Sequence, residues 1–188
     1  MKLYLLIALN VGFMVEGAIE TAYKDTQDHY WREYTGLIPH DAFIAGTNRQ
    51  GLPIYIGQTF FKDAGLLPTT IDPNSSTIEA TAWGKVLTTD KNVKILCSQN
   101  PGNYSWVPTK IENMHLLTQC NLVVGGTESE TTLYVGRVIH ELEMKVGKVF
   151  PNFSDYKGLG IPHNGGQTKY NTFEVLAYNC LHFNKCLV

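Results

Sequence analysis

Ile44-Ala45-Gly46-Thr47-Asn48, followed by Gly51-Leu52-Pro53-Ile54-Tyr55-Ile56-Gly57-Gln58, returns later in the chain as Val124-Gly125-Gly126-Thr127-Glu128 and Thr131-Thr132-Leu133-Tyr134-Val135-Gly136-Arg137. The match extends outward from this pair in order. Trp31 precedes the first copy and Trp106 the second, and Ile71-Asp72-Pro73 answers Val149-Phe150-Pro151. Trp83-Gly84-Lys85 answers Gly165-Gly166-Gln167, and Val93-Lys94-Ile95-Leu96 answers Phe173-Glu174-Val175-Leu176. An ordered series of this kind is the signature of an internal repeat.

The repeated pieces read as strands. Pro53-Ile54-Tyr55-Ile56 and Leu133-Tyr134-Val135 are short β-branched and aromatic runs bounded by glycine. Arg49-Gln50-Gly51 and Ser129-Glu130-Thr131 stand where a tight hairpin turns, and only the first holds a glycine to ease a positive φ. No long stretch of period 3.6 occurs after the N-terminal apolar run. The expected fold is therefore all-β: two pseudo-symmetric antiparallel β units, 31–97 and 104–178, each too small for a core of its own and so packed together.

Several classes are excluded or disfavoured by composition. The chain has 188 residues and a formal net charge of −2, which argues against an electrostatic nucleic-acid binder. Lys2 followed by the apolar run Leu3–Val15 and the small Gly17 reads as a signal peptide over 1–17, cleaved after Gly17, with an extension over 18–30. The run is too short to span a bilayer, so secretion is expected and no membrane partner. Cys97, Cys120, Cys180 and Cys186 make an even count in an oxidising compartment. Three connectivities are open; Cys97 with Cys120 and Cys180 with Cys186 is the favoured one, the second pair closing a tail over 179–188. Asn74, Asn103 and Asn152 head glycosylation sequons.

The order of tryptophan, Gly-Gly-x-acid turn, Leu133-Tyr134-Val135-Gly136-Arg137 strand, Gly147-Lys148-Val149 turn and closing Phe173-Glu174-Val175-Leu176 strand resembles the DM-nine, or natterin-like, repeat. The second copy, Trp106 to Leu176, matches well; the first, Trp31 to Leu96, is eroded. The resemblance implies compact all-β tandem units. It also implies kinship with secreted, pathogen-responsive proteins that include mannose-binding lectins. Their sugar site resembles an acid in the Gly-Gly-x-Asp turn working with the lysine of the Gly-Lys turn. Carried over, that gives Glu128 with Lys148 in the second copy. In the first copy Asn48 takes the acid position, and Pro68-Thr69-Thr70 puts Thr70 where the lysine belongs. Gln167 replaces a lysine in a further turn of the second copy.

A carboxylate and an ammonium suit a hexose, whose neighbouring hydroxyls both donate and accept. The expected ligand is a mannose-type glycan or microbial surface carbohydrate. Trp83, Trp106 and Tyr134 could cover a sugar face, although such residues more often fill cores. The alternative is an extracellular scaffold of the same fold that has lost sugar binding. One sugar site per chain would need a homo-oligomer to agglutinate cells. Catalysis is not expected. His140-Glu141-Leu142-Glu143-Met144 opens like the zinc-protease helix motif but has Met144 where the second histidine belongs. There is no nucleophile elbow or phosphate loop, and neither a metal nor a cofactor is expected.

Overall fold

A computed structural model describes residues 28–151 and 157–180. The expected signal peptide, most of the N-terminal extension, Asn152 and Cys186 lie outside the described residues. The described chain is mostly antiparallel strand, in line with the sequence patterns. The first half holds β1 (His29–Glu33), β2 (Ile44–Thr47), β3 (Pro53–Phe61), β4 (Gly65–Ile71), β5 (Ile78–Ala82), β6 (Lys85–Thr89) and β7 (Val93–Ser98). The second holds β8 (Tyr104–Lys110), β9 (Asn121–Leu122), β10 (Val124–Glu128), β11 (Thr131–His140), β12 (Glu143–Phe150), β13 (Gly158–His163), β14 (Gly166–Tyr170) and β15 (Thr172–Tyr178). Every ladder between them is antiparallel. Among the described residues no helix is long and apolar enough to cross a membrane.

The two halves share one ladder plan. β2 meets β3 with a bulge between Ile44 and Gly46, and β10 meets β11 with a bulge between Val124 and Gly126. Ile56 lies opposite Thr70, and Val135 opposite Lys148. Gly57 faces Ile95, as Gly136 faces Val175. Trp31 lies opposite Leu96, and Trp106 opposite Leu176. One detail departs from the residue matching. Ala82 pairs with Lys85 and His163 with Gly166, so the turn at Trp83-Gly84 corresponds to Asn164-Gly165, one position earlier than sequence similarity alone suggests. The left-handed φ values repeat at these positions, 51° and 75° against 49° and 76°. Backbone conformation, not side-chain likeness, marks the equivalence.

The halves are joined by backbone and by core. β10 pairs with β4 through Thr127 and Leu66, and β14 with β6 through Gly166 and Lys85. One apolar cluster mixes Phe43, Ile54, Ile56 and Leu96 of the first half with Val123, Val135, Val146 and Leu176 of the second. Burying each such side chain contributes about 1.5–3 kcal/mol, so neither half keeps its core without the other. Gly126 is required where the halves touch: a Cβ there would lie 1.9 Å from the Leu66 carbonyl oxygen.

The expected cysteine pairing is not found. Cys120 is bonded to Cys180, and Cys97 is a buried free thiol. The reason is strand register. β9 pairs with the end of β15, Asn121 opposite Tyr178, which draws Cys120 alongside Cys180. Cys97 instead points from β7 into the cluster of Ile71, Ile78, Val93 and Ile95. Burial pushes its thiol pKa up to about 11, which leaves it unreactive. The bond links residues 60 apart in sequence, a separation for which the chain-entropy account gives a stabilisation of about 4 kcal/mol.

Two measurements check this arrangement. Non-reducing digestion should release a Cys120–Cys180 linked peptide, with Cys97 alkylated only after unfolding. Gly126→Ala should lose more than about 3 kcal/mol in urea denaturation or fail to fold, since the opposing atom is backbone and has nowhere to move.

Candidate functional site

Glu128 and Lys148 are brought together. Glu128 ends β10 ahead of a two-residue turn in which Ser129 and Glu130 take φ values of 47° and 64°, the mirror-image turn usual for hairpins. Lys148 sits in β12 between Val135 of β11 and Gly160 of β13. Its ammonium donates a charge-assisted hydrogen bond to the Glu128 carboxylate. The pair is not on the surface, however: the two side chains are only 5% and 6% exposed. The β3–β4 hairpin of the other half lies against the end of β10. A Cβ on Gly65 would meet the Thr127 carbonyl oxygen at 2.3 Å and the Glu128 Cα at 3.5 Å. Burial pulls the Lys148 pKa down while the bond to Glu128 pulls it up, and burial is the larger effect. In this arrangement the two charges satisfy each other and pin β10 to β12.

The corresponding first-half residues behave differently. Asn48 is buried, and its amide oxygen accepts from the backbone N–H groups of Gln50 and Leu52, each at 3.0 Å. It therefore shapes the β2–β3 turn. Its amide nitrogen donates to Asp72 at 3.0 Å. The Thr70 hydroxyl donates to the Val146 carbonyl at 3.0 Å and accepts from the Val146 N–H at 2.8 Å, stitching β4 to β12. Asn48 and Thr70 thus serve separate partners.

Beside them the fold leaves a polar cleft of about 230 Å³ lined by Thr70, Asp72, Ser75, Thr77, Glu79 and Lys145, with Pro162 at its wall. Lys145 comes from the other half, is 30% exposed, and bonds Glu143 at 2.9 Å. The first-half position lacks its own lysine, and Lys145 lines the cleft beside it from the other half. The family resemblance does not single out Lys145, which lies three residues before Lys148. In a strand, residues three apart project from opposite faces, and that parity was the available signal.

Of the aromatic candidates, Trp83 is half exposed at its turn, while Trp106 and Tyr134 pack against the core. The face of Trp106 is covered by the Arg137 guanidinium at 4.3 Å. A larger groove of about 750 Å³ runs past His40, Asp41, Ser98, Tyr104 and Trp106. Its carboxylate, Asp41, accepts from Tyr30 and Arg32, as Asp72 of the smaller cleft accepts from Asn48 and Asn74. The sequon residues Asn74 and Asn103 are both exposed, and Asn74 donates its side-chain amide to Asp72 at the cleft edge, 3.2 Å away.

The family model for the DM9 repeat matches residues 59–165, from within β3 to the turn between β13 and β14, and so draws on both halves. No curated protein matches the chain.

The buried pair makes a stability prediction. Lys148→Ala should cost about 3–5 kcal/mol in urea denaturation, because it leaves the Glu128 carboxylate buried without a counter-charge. The double variant Glu128→Gln with Lys148→Met should recover most of that loss, since both charges are then gone.

Proposed function

As the chain belongs to the DM9 repeat family, we propose that it is a secreted carbohydrate-recognition protein that binds mannose-type glycans in the first-half cleft and performs no catalysis. DM9 repeats are known from carbohydrate-binding proteins of lectin type. On this reading the first half, 31–97, and the second, 104–178, are divergent copies of that repeat. The observation that supports a binding role is the content of the cleft: two carboxylates, three hydroxyls and one partly exposed ammonium on a shared rim.

Asp72 and Glu79 accept from neighbouring sugar hydroxyls, and Lys145 donates to the oxygens of the same hydroxyls. Ser75 and Thr77 supply neutral hydrogen bonds at the exposed side. Charge-assisted bonds contribute about 1.5–3 kcal/mol each, roughly twice the neutral ones. Lys145 is therefore the side chain on which affinity depends most. The Glu128–Lys148 pair acts in this reading as an internal pin, so each chain has one sugar site. A monomer cannot cross-link cells, and agglutination needs a homo-oligomer for avidity.

The competing reading, an extracellular scaffold without sugar binding, is favoured by the burial of Glu128 and Lys148. Glycan-array binding followed by titration calorimetry with mannose separates the two. We expect a stoichiometry near one, with at least tenfold weaker binding by Lys145→Ala and by Glu79→Gln. Wild-type affinity in both variants would remove the cleft from the proposal; an array with no signal would favour the scaffold. N-terminal sequencing of the protein recovered from culture medium should begin at Ala18.

A further inference from the structure

At the end of the molecule formed by the β11–β12 hairpin, two imidazoles and a carboxylate converge outside the cleft. His140 closes β11, Glu141 occupies the first position of the hairpin turn, and His163 closes β13. One ligand atom from each lies within 4.8 Å of the others. We infer that His140, His163 and Glu141 form a binding site for a divalent transition-metal cation of the zinc class. The site does not depend on the sugar reading.

The geometry supports coordination in three ways. First, one donor atom from each residue can be chosen so that all three lie within 4.8 Å of one another. His140 Nε2 lies 2.9 Å from His163 Nδ1, while the other nitrogen of that ring, Nε2, lies 3.7 Å from the near oxygen of Glu141. Zinc bonds of about 2.0–2.1 Å in a tetrahedron hold donors about 3.3 Å apart, so a modest turn of the His163 ring brings one of its nitrogens to the shared position. The His163 ring sits between the other groups, so a cation takes one of its nitrogens and replaces the direct His–His contact.

Second, the outer partners are those a metal site uses. The Tyr170 hydroxyl lies 2.5 Å from His140 Nδ1, which orients the ring and leaves Nε2 as the inward-facing nitrogen. Arg49, from the β2–β3 turn, donates at 3.1 Å to one oxygen of Glu141 and at 2.9 Å to its backbone carbonyl. That leaves the other carboxylate oxygen, the one nearest His163, facing the imidazoles. Asn164 lies 2.8 Å from His163 Nε2 and holds that nitrogen when the cation takes Nδ1.

Third, the donor types select the ion. Two imidazole nitrogens and one carboxylate suit zinc and its neighbours, whereas calcium and magnesium require oxygen-rich shells. Both rings are half-buried and stand edge to face at a centroid distance of 4.3 Å, so binding needs only local ring movement. Three protein ligands leave one tetrahedral position for water or for a hydroxyl-bearing ligand.

Equilibrium dialysis against Zn2+ with metal quantification tests this on the whole protein. We expect one Zn2+ per chain, no competition by Ca2+ or Mg2+, and at least tenfold weaker binding by His140→Ala and His163→Ala. Substitution of the exposed His115, as His115→Ala, should leave binding unchanged. Tyr170→Phe keeps all three ligands and should weaken binding about tenfold or more by freeing the His140 ring. Wild-type protein loaded with Co2+ should show tetrahedral visible absorption, a readout that does not rely on any variant folding. No stoichiometric Zn2+ on the wild type, or full binding by the His140→Ala/His163→Ala double variant, would overturn the assignment.

Discussion

The rest of the structure depends on how closely the two halves approach at their bulges. At the β10 bulge, Gly126 lets the backbone pass against the Leu66 carbonyl with no room for a side chain. Flanking this contact are two reciprocal hydrogen bonds. Gln58 of β3 donates to the Gly125 carbonyl at 2.7 Å, and Arg137 of β11 donates to the Ala45 carbonyl at 2.7 Å. Gln58 and Arg137 occupy matching strand positions, and so do Ala45 and Gly125. Each half thereby satisfies a carbonyl that the other half's bulge removes from its ladder. A buried carbonyl left without a partner costs about 1–3 kcal/mol, so the halves hold each other in register. The shared apolar cluster then fills the space this register defines.

Much of the fold was legible in the sequence because the matching segments of the two halves give two readings of most strands. Ile54 with Leu133, Ile56 with Val135 and Ile95 with Val175 align in both sequence and ladder, and all are fully buried. The same alignment made Thr70 the counterpart of Lys148 and Asn48 the counterpart of Glu128, and the ladders agree. Local pattern failed where the deciding neighbour is distant. The Cys120–Cys180 bond follows from the pairing of β9 with β15, and a two-residue strand leaves no pattern to read. Lys145 reaches the first-half cleft only through the packing of β12 against β4. Glu128 and Lys148 read as surface residues because charged side chains are seldom buried, and nothing local showed that the β3–β4 hairpin would lie against the end of β10. His140 and His163 are joined by a sheet that brings the ends of β11 and β13 together, which composition could not foresee.

The difference between the halves has a simple electrostatic logic. At the Glu128–Lys148 position the second half buries one charge of each sign, in contact. A single charge in that place would be left without a partner, at a cost of several kcal/mol. The charges can therefore be present together or absent together, and an intermediate with one of them is penalised. The first half has Asn48 and Thr70, neutral at both positions, which is the second permitted state. Once neutral, the two side chains no longer need each other. Asn48 turns its oxygen to the β2–β3 turn and its nitrogen to Asp72, while Thr70 binds the backbone of β12. Asp72 stands where the second half has Phe150, which packs onto an apolar cluster. The exchange of an aromatic for a carboxylate, beside a neutral pair, accompanies the change from a sealed position in one half to a polar cleft in the other. The open and closed versions of one position thus arise from three side-chain differences, Asn48 for Glu128, Thr70 for Lys148 and Asp72 for Phe150, on a shared ladder plan.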